Sequence, residues 1–586
     1  MVKTWKSVCV IMVNVLVACS LISCDGSNKN NNGNKLNVDN IYKGSGKFDK
    51  DTYYIGALNV DMVSNNSFMK YDALNVGINS LEEKTINPYF IESKSDIYII
   101  QSLWEPLMKK GYDGEFYPNI LKKLPTVSED KTIYLFSLRE DLTWEDGSKI
   151  TTKDIEFTYK FLMDKFYDGS FNREMLNVKN WIEYKDGVKD SIDGIEILDD
   201  FNFKVIVETP NINTMELLNI YPLSYLYYSQ YYSQGGSIQK ETNVKPFGNG
   251  VFKFLGFEDN KYIILESNPY YYKGKSDIKT LTYKKIDEKD WINEIVSGNI
   301  DILRDVFLNE DNIVETSKAQ FLSGYIFPNW EYLYIGINHT NPILKDVNVR
   351  KAIDLCIDKN LIIEKLSNKN LNILNIPLDK NFFNLYDSEI DSINNFDKHA
   401  AIKLLEKSGW KKTSNGIREK DNQKLELVFL TKKNDYILSE IIPIIEKNLS
   451  NVGIGLIIQE ASDNLIKTTH NDQEENNPIL YDLFLMNPNF NFNPDWIMSF
   501  STLGANNWYG YSNENLDKIL NDIFYEFDVD KSTELYNEAK KIIKEDIPVI
   551  PIFQNKQIDI YNGRILGINS ANIYKTFYYD EIILKK

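Results

Sequence analysis

The residues of this chain that are best suited to hold another molecule lie between Tyr481 and Asp517. An apolar run, YDLFLM, is followed there by NPNFNFNPDW and then by a second group of amide and aromatic side chains, NNWY. Buried amides need hydrogen-bond partners and aromatic rings offer flat faces, so this composition predicts a partly open surface for stacking and hydrogen bonding. The alternative is a loop in which Asn and Pro only make turns. The candidate contact residues are Asn487, Phe490, Asn491, Phe492, Asn493, Asp495, Trp496 and Trp508.

Catalytic and metal chemistry find little support in the sequence. The chain has three histidines, His339, His399 and His470. Their scattered positions favour neither a zinc site nor a histidine-based triad. The GSGK stretch at 44–47 lacks the surrounding residues of a phosphate-binding loop. Acidic pairs such as Glu474-Glu475 lie in polar stretches, as chance predicts with 84 acidic residues. We therefore predict no cofactor and no metal, and a lipid-anchored hydrolase is a remote alternative.

The N-terminal segment predicts export and a lipid anchor. Lys3 and Lys6 precede VCVIMVNVLVACSLIS, a run that is too short and interrupted for a transmembrane helix but typical of a signal peptide at 1–23. It ends in LISC, which resembles a bacterial lipobox, so Cys24 would be the lipid-modified first residue of the mature protein. The polar tract that follows predicts a flexible tether at 24–44. The alternative is an ordinary secretory signal with a chance cysteine.

Several consequences follow from the anchor and from the overall composition. We expect an exported protein, held by its lipid on the outer face of the cytoplasmic membrane. Once Cys9 and Cys19 have left with the signal and Cys24 is acylated, Cys356 has no partner for an intramolecular disulfide. The formal net charge of -18 argues against a nucleic-acid partner, since such proteins carry basic patches. A length of 586 residues predicts three or four domain-sized units.

Local patterns predict several elements that would position these residues. Alternation predicts a strand over Ile133 to Ser137, and Thr152 is the predicted N-cap of a helix that starts near Lys153. A second helix is predicted within 347–360 from the helical spacing of its apolar residues, which include Cys356. We therefore expect Cys356 in the core. Asp346 is placed to cap this helix, and Arg350 to bind a neighbouring carboxylate or carbonyl.

Seven blocks of sequence carry a resemblance to a known family. The sequence WEDGSKITTKDIEFTYK at 144–160 is similar to the W-[ST]-D-G-x-x-[LVF]-T-A-x-D-V-x-[FY]-[ST] signature of the family 5 extracellular solute-binding proteins. The other blocks follow in the order of that family, from about residue 70 to the end. They are PFGNGVFKFLGFEDNKYIILESNPYY (246–271), SGNID (297–301), YIGINHTNPILKDVNVRKAIDLCIDKNLI (334–362), NFDKHAAIKLLEKSGW (395–410), YSNENLDKIL (511–520) and EAKKIIKEDIPVIPIF (538–553).

The resemblance implies the fold and its division into domains. It implies an α/β, bilobal periplasmic-binding-protein-like fold (type II, cluster C) with an extra inserted domain. Two strands crossing between the lobes would form a hinge, and lobe 2 would begin with a strand around Tyr332 to Asn338. The predicted units are lobe 1, from 45–105, 245–330 and 548–586, the inserted domain at 106–244, and lobe 2 at 331–547.

The resemblance also implies a ligand and partners. These receptors deliver a ligand, in most cases an oligopeptide, to the permease subunits of an ABC importer, and we expect a monomer. In the peptide receptors of the family an Asp meets the ligand's α-ammonium, but Phe490 occupies the matching position here. Asp495 or Asp482 could replace that Asp. Glu92, in NPYFIESKS, matches a pocket-lining loop.

The same residues leave two other ligand classes open. The missing Asp and the Asn/aromatic composition would also suit an oligosaccharide stacked on the rings of the segment. Nickel is the least supported ligand, because histidines and thiols are sparse. A metal chelate held through its organic partner stays open.

Overall fold

The structure, a computed structural model, describes part of the chain. The described residues are 53–55, 71–81, 86–91, 93–111, 115–232, 245–258, 261–287, 290–307, 314–316, 318–366, 371–377, 396–432, 436–461, 481–486, 496–566 and 578–585. Across these ranges, no helix combines the length and apolar character needed to cross a membrane.

The strands are short except for two, β13 and β21, that run for 16 and 14 residues. Their bounds are β1 Tyr53–Ile55, β2 Ala73–Ile78, β3 Met108–Lys110, β4 Phe116–Pro118, β5 Thr126–Val127, β6 Ile133–Ser137, β7 Ile195–Ile197, β8 Asn202–Ile206, β9 Phe252–Glu258, β10 Tyr262–Ser267, β11 Thr280–Lys285, β12 Ile302–Phe307, β13 Leu322–Ile337, β14 Asn372–Ile373, β15 Lys411–Lys412, β16 Arg418–Lys420, β17 Gln423–Lys424, β18 Glu426–Lys432, β19 Gly455–Ala461, β20 Leu483–Met486, β21 Val549–Asn562, β22 Ile565–Leu566 and β23 Ile583–Leu584.

The helices lie mostly in the inserted domain and in lobe 2. Their bounds are α1 Lys94–Leu103, α2 Thr152–Leu162, α3 Arg173–Leu176, α4 Trp181–Lys185, α5 Thr214–Leu218, α6 Tyr225–Tyr228, α7 Trp291–Val296, α8 Val347–Cys356, α9 Lys359–Lys365, α10 Lys398–Lys407, α11 Tyr436–Val452, α12 Trp496–Phe500, α13 Glu514–Tyr525 and α14 Val529–Asp546. A 3₁₀ turn follows at Tyr579–Glu581.

One mixed sheet runs through both lobes. Its order is β19-β18-β20-β13-β21-β12-β2-β11-β10-β9, with β1 beside β13 and β14 beside β21. In lobe 1, β2 is parallel to β11 and β12, and in lobe 2, β18 is parallel to β19 and β20. Parallel strands need crossover connections, which helices such as α7 and α11 provide. The predicted bilobal α/β fold is confirmed.

Two strands, β13 and β21, cross from one lobe to the other. At one end they have lobe 1 neighbours, β1 and β12, and at the other end lobe 2 neighbours, β20 and β14. The register of their pairing shifts between Pro328 and Tyr332, where three residues of β13 lie opposite one residue of β21. Such a bulge bends a strand and weakens its ladder locally. The predicted crossing strands are therefore present, and β13 begins in lobe 1 at Leu322 instead of at Tyr332.

The inserted domain has its own sheet and core. The antiparallel sheet β5-β6-β8-β7 packs its inward residues, including Phe136 and Phe203, whose rings stack at 4.8 Å, against α2. Two residues from outside the domain, Tyr89 and Phe247, join the same hydrophobic cluster. The inserted domain is thus tied to lobe 1 by shared apolar packing. The predicted domain boundaries stay a prediction.

One helix start differs from the sequence prediction by a residue. The N-cap of α2 is Thr151 instead of Thr152. The Thr151 side chain accepts a hydrogen bond from the Lys153 amide, and Asp154 accepts one from the Thr151 amide, so the two form a capping box. Thr152 instead donates its hydroxyl to the Asp199 carbonyl. The prediction of Thr152 is wrong by one position because either of two adjacent threonines could cap the helix. The predicted strand Ile133–Ser137 is confirmed.

The predictions for the second helix, α8, are confirmed. Asp346 is its N-cap, and Cys356 is buried in the lobe 2 core. The Arg350 guanidinium donates hydrogen bonds to the carbonyls of Asp546, Leu344 and Lys345. Arg350 therefore fastens α8 to the C-terminus of α14, where helix carbonyls lack intrahelical partners.

A glycine sets the packing where β13 meets β20. Gly336 lies opposite Phe484 in the ladder, and a Cβ atom at this glycine would lie 2.0 Å from the buried Phe484 ring. The ring can occupy this space only because the glycine has no side chain.

We predict that Gly336→Ala lowers the free energy of unfolding by about 1 to 3 kcal/mol, because the buried ring must move. Urea denaturation of the variant checks the value. Gly256→Ala is the matched control, since a Cβ at that strand glycine meets open space. Equal stability of the two variants would contradict the packing described here.

A half-buried histidine joins the lobe 2 ends of the two crossing strands. The His339 Nε2 atom lies 3.0 Å from the Pro548 carbonyl, and the His339 amide donates to the Tyr509 carbonyl. Burial, with a smaller contribution from Arg350, lowers the pKa of His339 to about 4. The ring is therefore neutral in the folded protein near pH 6.

We predict that His339 makes the protein sensitive to mild acid. Below about pH 6.5 the His339 side chain is protonated in the unfolded chain but stays neutral in the folded chain. The free energy of unfolding therefore falls as the pH falls towards 4. In His339→Gln, the loss of unfolding free energy between pH 7 and pH 5 should be smaller by about 2 kcal/mol. Urea titrations at several pH values measure it, with the exposed His399→Gln as control. An unchanged pH dependence would contradict the assignment.

Candidate functional site

The predicted contact segment begins where the two lobes meet. Its leading strand, β20, pairs with β13, and the last residue of β20, Met486, lies opposite Tyr334. Because the strands are antiparallel, β20 ends on the side of β13 where Tyr332 and the register shift lie. The predicted contacts that follow lie outside the described residues and stay predictions. They are Asn487, Phe490, Asn491, Phe492, Asn493 and Asp495.

The described chain resumes at Trp496, which is a core residue. Its side chain is 3% exposed, and its Nε1 atom donates to the Pro377 carbonyl at 2.9 Å. The ring packs edge-on against Phe500 and Tyr536. This position differs from the open stacking face that the sequence predicts. The reason is that α12 starts at Trp496 and turns the ring into lobe 2.

Trp508 and its neighbours also serve the core of lobe 2. The Trp508 carbonyl accepts the Tyr481 hydroxyl at 2.7 Å, and its ring is half-buried against the same hydrophobic cluster. The buried Asn507 amide donates to the carbonyls of Ser501 and Tyr511, and it accepts the Tyr511 amide. The second amide and aromatic group is therefore a satisfied turn, as the alternative reading of the sequence predicts.

Both ends of the undescribed stretch are fixed in one hydrophobic cluster. Met486 and Trp496 belong to it, together with Tyr332 and Tyr334 of the crossing strand β13. The two described residues that flank 487–495 therefore lie in a packed core beside the crossing strands. The candidate site at 487–495 stays a prediction.

The other predicted contact, Glu92, lies outside the described residues, but its neighbours are described. Ser93 is the N-cap of α1 and forms a capping box with Asp96. On the other side, the Tyr89 hydroxyl donates to the Tyr221 carbonyl, and the Phe90 ring contacts Phe161 of the inserted domain. The residues on either side of Glu92 thus lie where lobe 1 meets the inserted domain, and Glu92 itself stays a predicted contact.

Asp482 is excluded as the replacement for the family's ligand-binding Asp. Its carboxylate accepts the Val428 amide at 2.7 Å and the Asn341 side-chain amide. These bonds tie the first residues of the YDLFLM run to the neighbouring strand and to the turn after β13. Both oxygens of the Asp482 carboxylate already accept hydrogen bonds within the fold. Asp495 therefore remains the predicted partner for the α-ammonium of a peptide ligand.

A buried ion pair that the sequence did not reveal lies on the lobe 1 side of the crossing strands. The Arg304 Nε atom is 3.3 Å from the Asp559 carboxylate of β21, and the guanidinium stacks at 3.8 Å over the Tyr98 ring. Burial raises the pKa of Asp559, while Arg304 opposes that shift. Asp305 beside it has φ 54 and accepts the Tyr98 hydroxyl. An acid within the apolar alternation QIDIY was the available signal.

The described polar side chains of this region have structural partners. No cluster of three or more His, Cys, Asp or Glu side chains that could hold a metal occurs among the described residues. The polar groups nearest the crossing strands are engaged with backbone atoms or with each other, so their role is to position the chain.

Comparisons with known proteins place the chain in a family. The model for bacterial extracellular solute-binding proteins, family 5 (Middle), matches residues 115–510. The chain is 23% identical to the oligopeptide-binding protein AppA of Bacillus subtilis over 422 residues, which cover 71% of this chain and 74% of AppA. It is 28% identical to the oligopeptide-binding protein OppA of Lactococcus lactis over 332 residues, or 52% of this chain and 54% of OppA.

Solved structures share the fold at lower identity. Lactococcal OppA, in complex with an endogenous peptide in the closed conformation, gives a TM-score of 0.74 at 19% identity and covers 87% of this chain and 100% of that one. NikZ from Campylobacter jejuni, in complex with Ni(L-His), gives a TM-score of 0.69 at 21% identity. The match covers 86% of this chain and 96% of NikZ. Since the family model matches well over half of the chain, this protein belongs to the bacterial extracellular solute-binding proteins of family 5.

Proposed function

We propose that this protein is a lipid-anchored substrate-binding protein of an ABC importer that captures an oligopeptide between its two lobes. It acts as a monomer and hands its ligand to the permease subunits in the membrane. The observation that carries the proposal is the pair of crossing strands, β13 and β21, beside the anchored ends of the contact segment 487–495. Capture of this kind requires no bond chemistry, so the protein is a receptor and not an enzyme.

The mechanism follows from two lobes that share a bendable connection. Each lobe offers half of a cleft, and a ligand that contacts both halves stabilises the closed state by its difference in affinity for the two states. The bulge in β13 supplies the local irregularity where the bending can occur. The closed form is then the shape that a permease recognises.

Peptide is favoured over other ligands by the relatives. AppA and OppA are named as oligopeptide-binding proteins. Asp495 is the predicted partner of the ligand's α-ammonium, because Asp482 is occupied.

An oligosaccharide is the second candidate, and a specific observation favours it. Position 490 holds Phe where the peptide receptors hold an Asp, which removes a charge-assisted hydrogen bond of roughly 1.5 to 3 kcal/mol. Phe490 and Phe492 would instead stack on sugar rings. The fold itself does not choose the ligand, since NikZ binds a metal chelate on a similar scaffold.

We predict that a mixed library of tri- to hexapeptides raises the melting temperature of the protein, because binding to the folded state alone stabilises it. The protein is first unfolded and refolded to remove ligand retained from the cell. Cello- and manno-oligosaccharides are the comparison set. A rise with the sugars and none with the peptides would replace the proposed ligand.

The same measurement locates the site. Phe490→Ala should reduce the ligand-induced shift, while Phe396→Ala, at an exposed ring before α10, should leave it unchanged. Equal shifts in the two variants would move the site away from 487–495.

The lipid anchor is the second part of the proposal. Cys24 stands at the end of LISC, and the polar tether 24–44 separates it from the folded lobes. Acyl chains contribute about 0.8 kcal/mol per buried methylene, so a multiply acylated cysteine would hold the protein on the membrane. The anchor would keep a captured ligand close to its permease.

We predict that Cys24→Ala releases the protein from the membrane fraction into the soluble fraction, because it removes the acceptor of the lipid. Cys19→Ala, within the apolar run, is the matched control and should stay on the membrane. Fractionation followed by immunoblotting measures both. Retention of Cys24→Ala on membranes would contradict the anchor.

A further inference from the structure

The inserted domain touches lobe 2 directly, away from the crossing strands. Ile212, in the loop between β8 and α5, donates its backbone amide to the Phe524 carbonyl at 3.1 Å. Phe524 lies in the last turn of α13, where carbonyls have no intrahelical partner. The Ile212 side chain packs partly buried against the lobe 2 cluster that contains Met486 and Trp496. The inserted domain thus supplies both a capping donor and an apolar contact to lobe 2.

The loop that presents Ile212 is held rigidly on its own domain. The Asn211 side chain donates to the Met175 carbonyl and accepts the Asn213 amide, and the Thr214 hydroxyl accepts the Asn211 amide. Asn211 and Thr214 are both buried. With the backbone fixed on either side, Ile212 reaches lobe 2 without a further loss of loop entropy.

A second contact joins the same two units. The Lys131 ammonium lies 3.5 Å from the centre of the Phe527 ring, which follows α13. Lys131 has φ 57 in the turn between β5 and β6, a backbone conformation that favours glycine or asparagine. Ser128 and Asp130 hold that turn through hydrogen bonds to Lys131 and Thr132. Lys131 therefore occupies a strained turn position, and its ammonium group contacts the Phe527 ring of lobe 2.

We propose that Ile212 and Lys131 form a latch that holds the inserted domain against α13 of lobe 2 and raises the fraction of closed receptor. Both are positioning residues, because they act through the lobes and not on the ligand. The latch rests on the proposed function in one respect, since closure matters for affinity only in a receptor that binds its ligand between the lobes.

The latch affects affinity through the population of the closed state. The apparent dissociation constant is the intrinsic one divided by the fraction of binding-competent receptor. Loss of an exposed cation–π contact changes such an equilibrium by about two- to fivefold. Loss of the Ile212 packing alone is expected to change it by about tenfold.

The first experiment needs no ligand. Fluorescent labels at Val188→Cys and Leu503→Cys, which are 73% and 94% exposed, report the separation of the inserted domain from lobe 2 by energy transfer. The background Cys9→Ala, Cys19→Ala and Cys24→Ala removes the lipid and the thiols of the signal segment, and the buried Cys356 is protected from the label. Lys131→Met and Ile212→Ser should shift the refolded, ligand-free receptor towards longer separations. Lys123→Met, an exposed lysine of the same domain, and the conservative Lys131→Arg should not.

The second experiment uses a tryptic digest of casein as the peptide probe. Half-saturation of the melting shift should need two- to fivefold more digest for Lys131→Met, and about tenfold more for Ile212→Ser, at unchanged ligand-free melting temperatures. Label distances that are equal in all variants overturn the latch. If instead the distances shift as expected but no variant or wild-type protein responds to the digest, the latch stands and peptide binding fails.

Discussion

Backbone hydrogen bonds between β13 and β21 carry one sheet across two lobes, and every other part of the binding architecture depends on that ladder. The lobe 1 strands β12 and β1 and the lobe 2 strands β20 and β14 all attach to these two strands. A sheet resists shear along its paired strands, but an extra stretch in one strand lets it bend. We therefore expect the sheet to bend at the register shift between Pro328 and Tyr332.

Polar side chains on both sides of this register shift bind groups of their own lobe. On the lobe 1 side, the Arg304–Asp559 pair and the tyrosines around it anchor β21. On the lobe 2 side, Arg350 binds three backbone carbonyls and His339 contacts the Pro548 carbonyl. Breaking any of these would leave a buried polar group without a partner, which costs roughly 1 to 3 kcal/mol.

Local elements could be predicted from the sequence, while contacts between distant segments could not. Helical spacing and capping chemistry identified α8, Asp346 and the buried Cys356, and the cap of α2 was missed by one residue between two threonines. The Asn/aromatic composition suggested an open surface at Trp496 and Trp508, but the rings face the core because α12 and the Asn507 turn orient them. The contacts of Ile212 and Lys131 join residues more than 300 positions apart, which no local pattern encodes.

The central claim is that the two lobes close around one ligand by bending at the crossing strands. Small-angle X-ray scattering of the refolded receptor, before and after saturation with peptide, tests this claim most directly. The account predicts a smaller radius of gyration with peptide, reached at one peptide per chain, because the lobes approach each other on closure. Saturable binding with no change in the radius of gyration would contradict it.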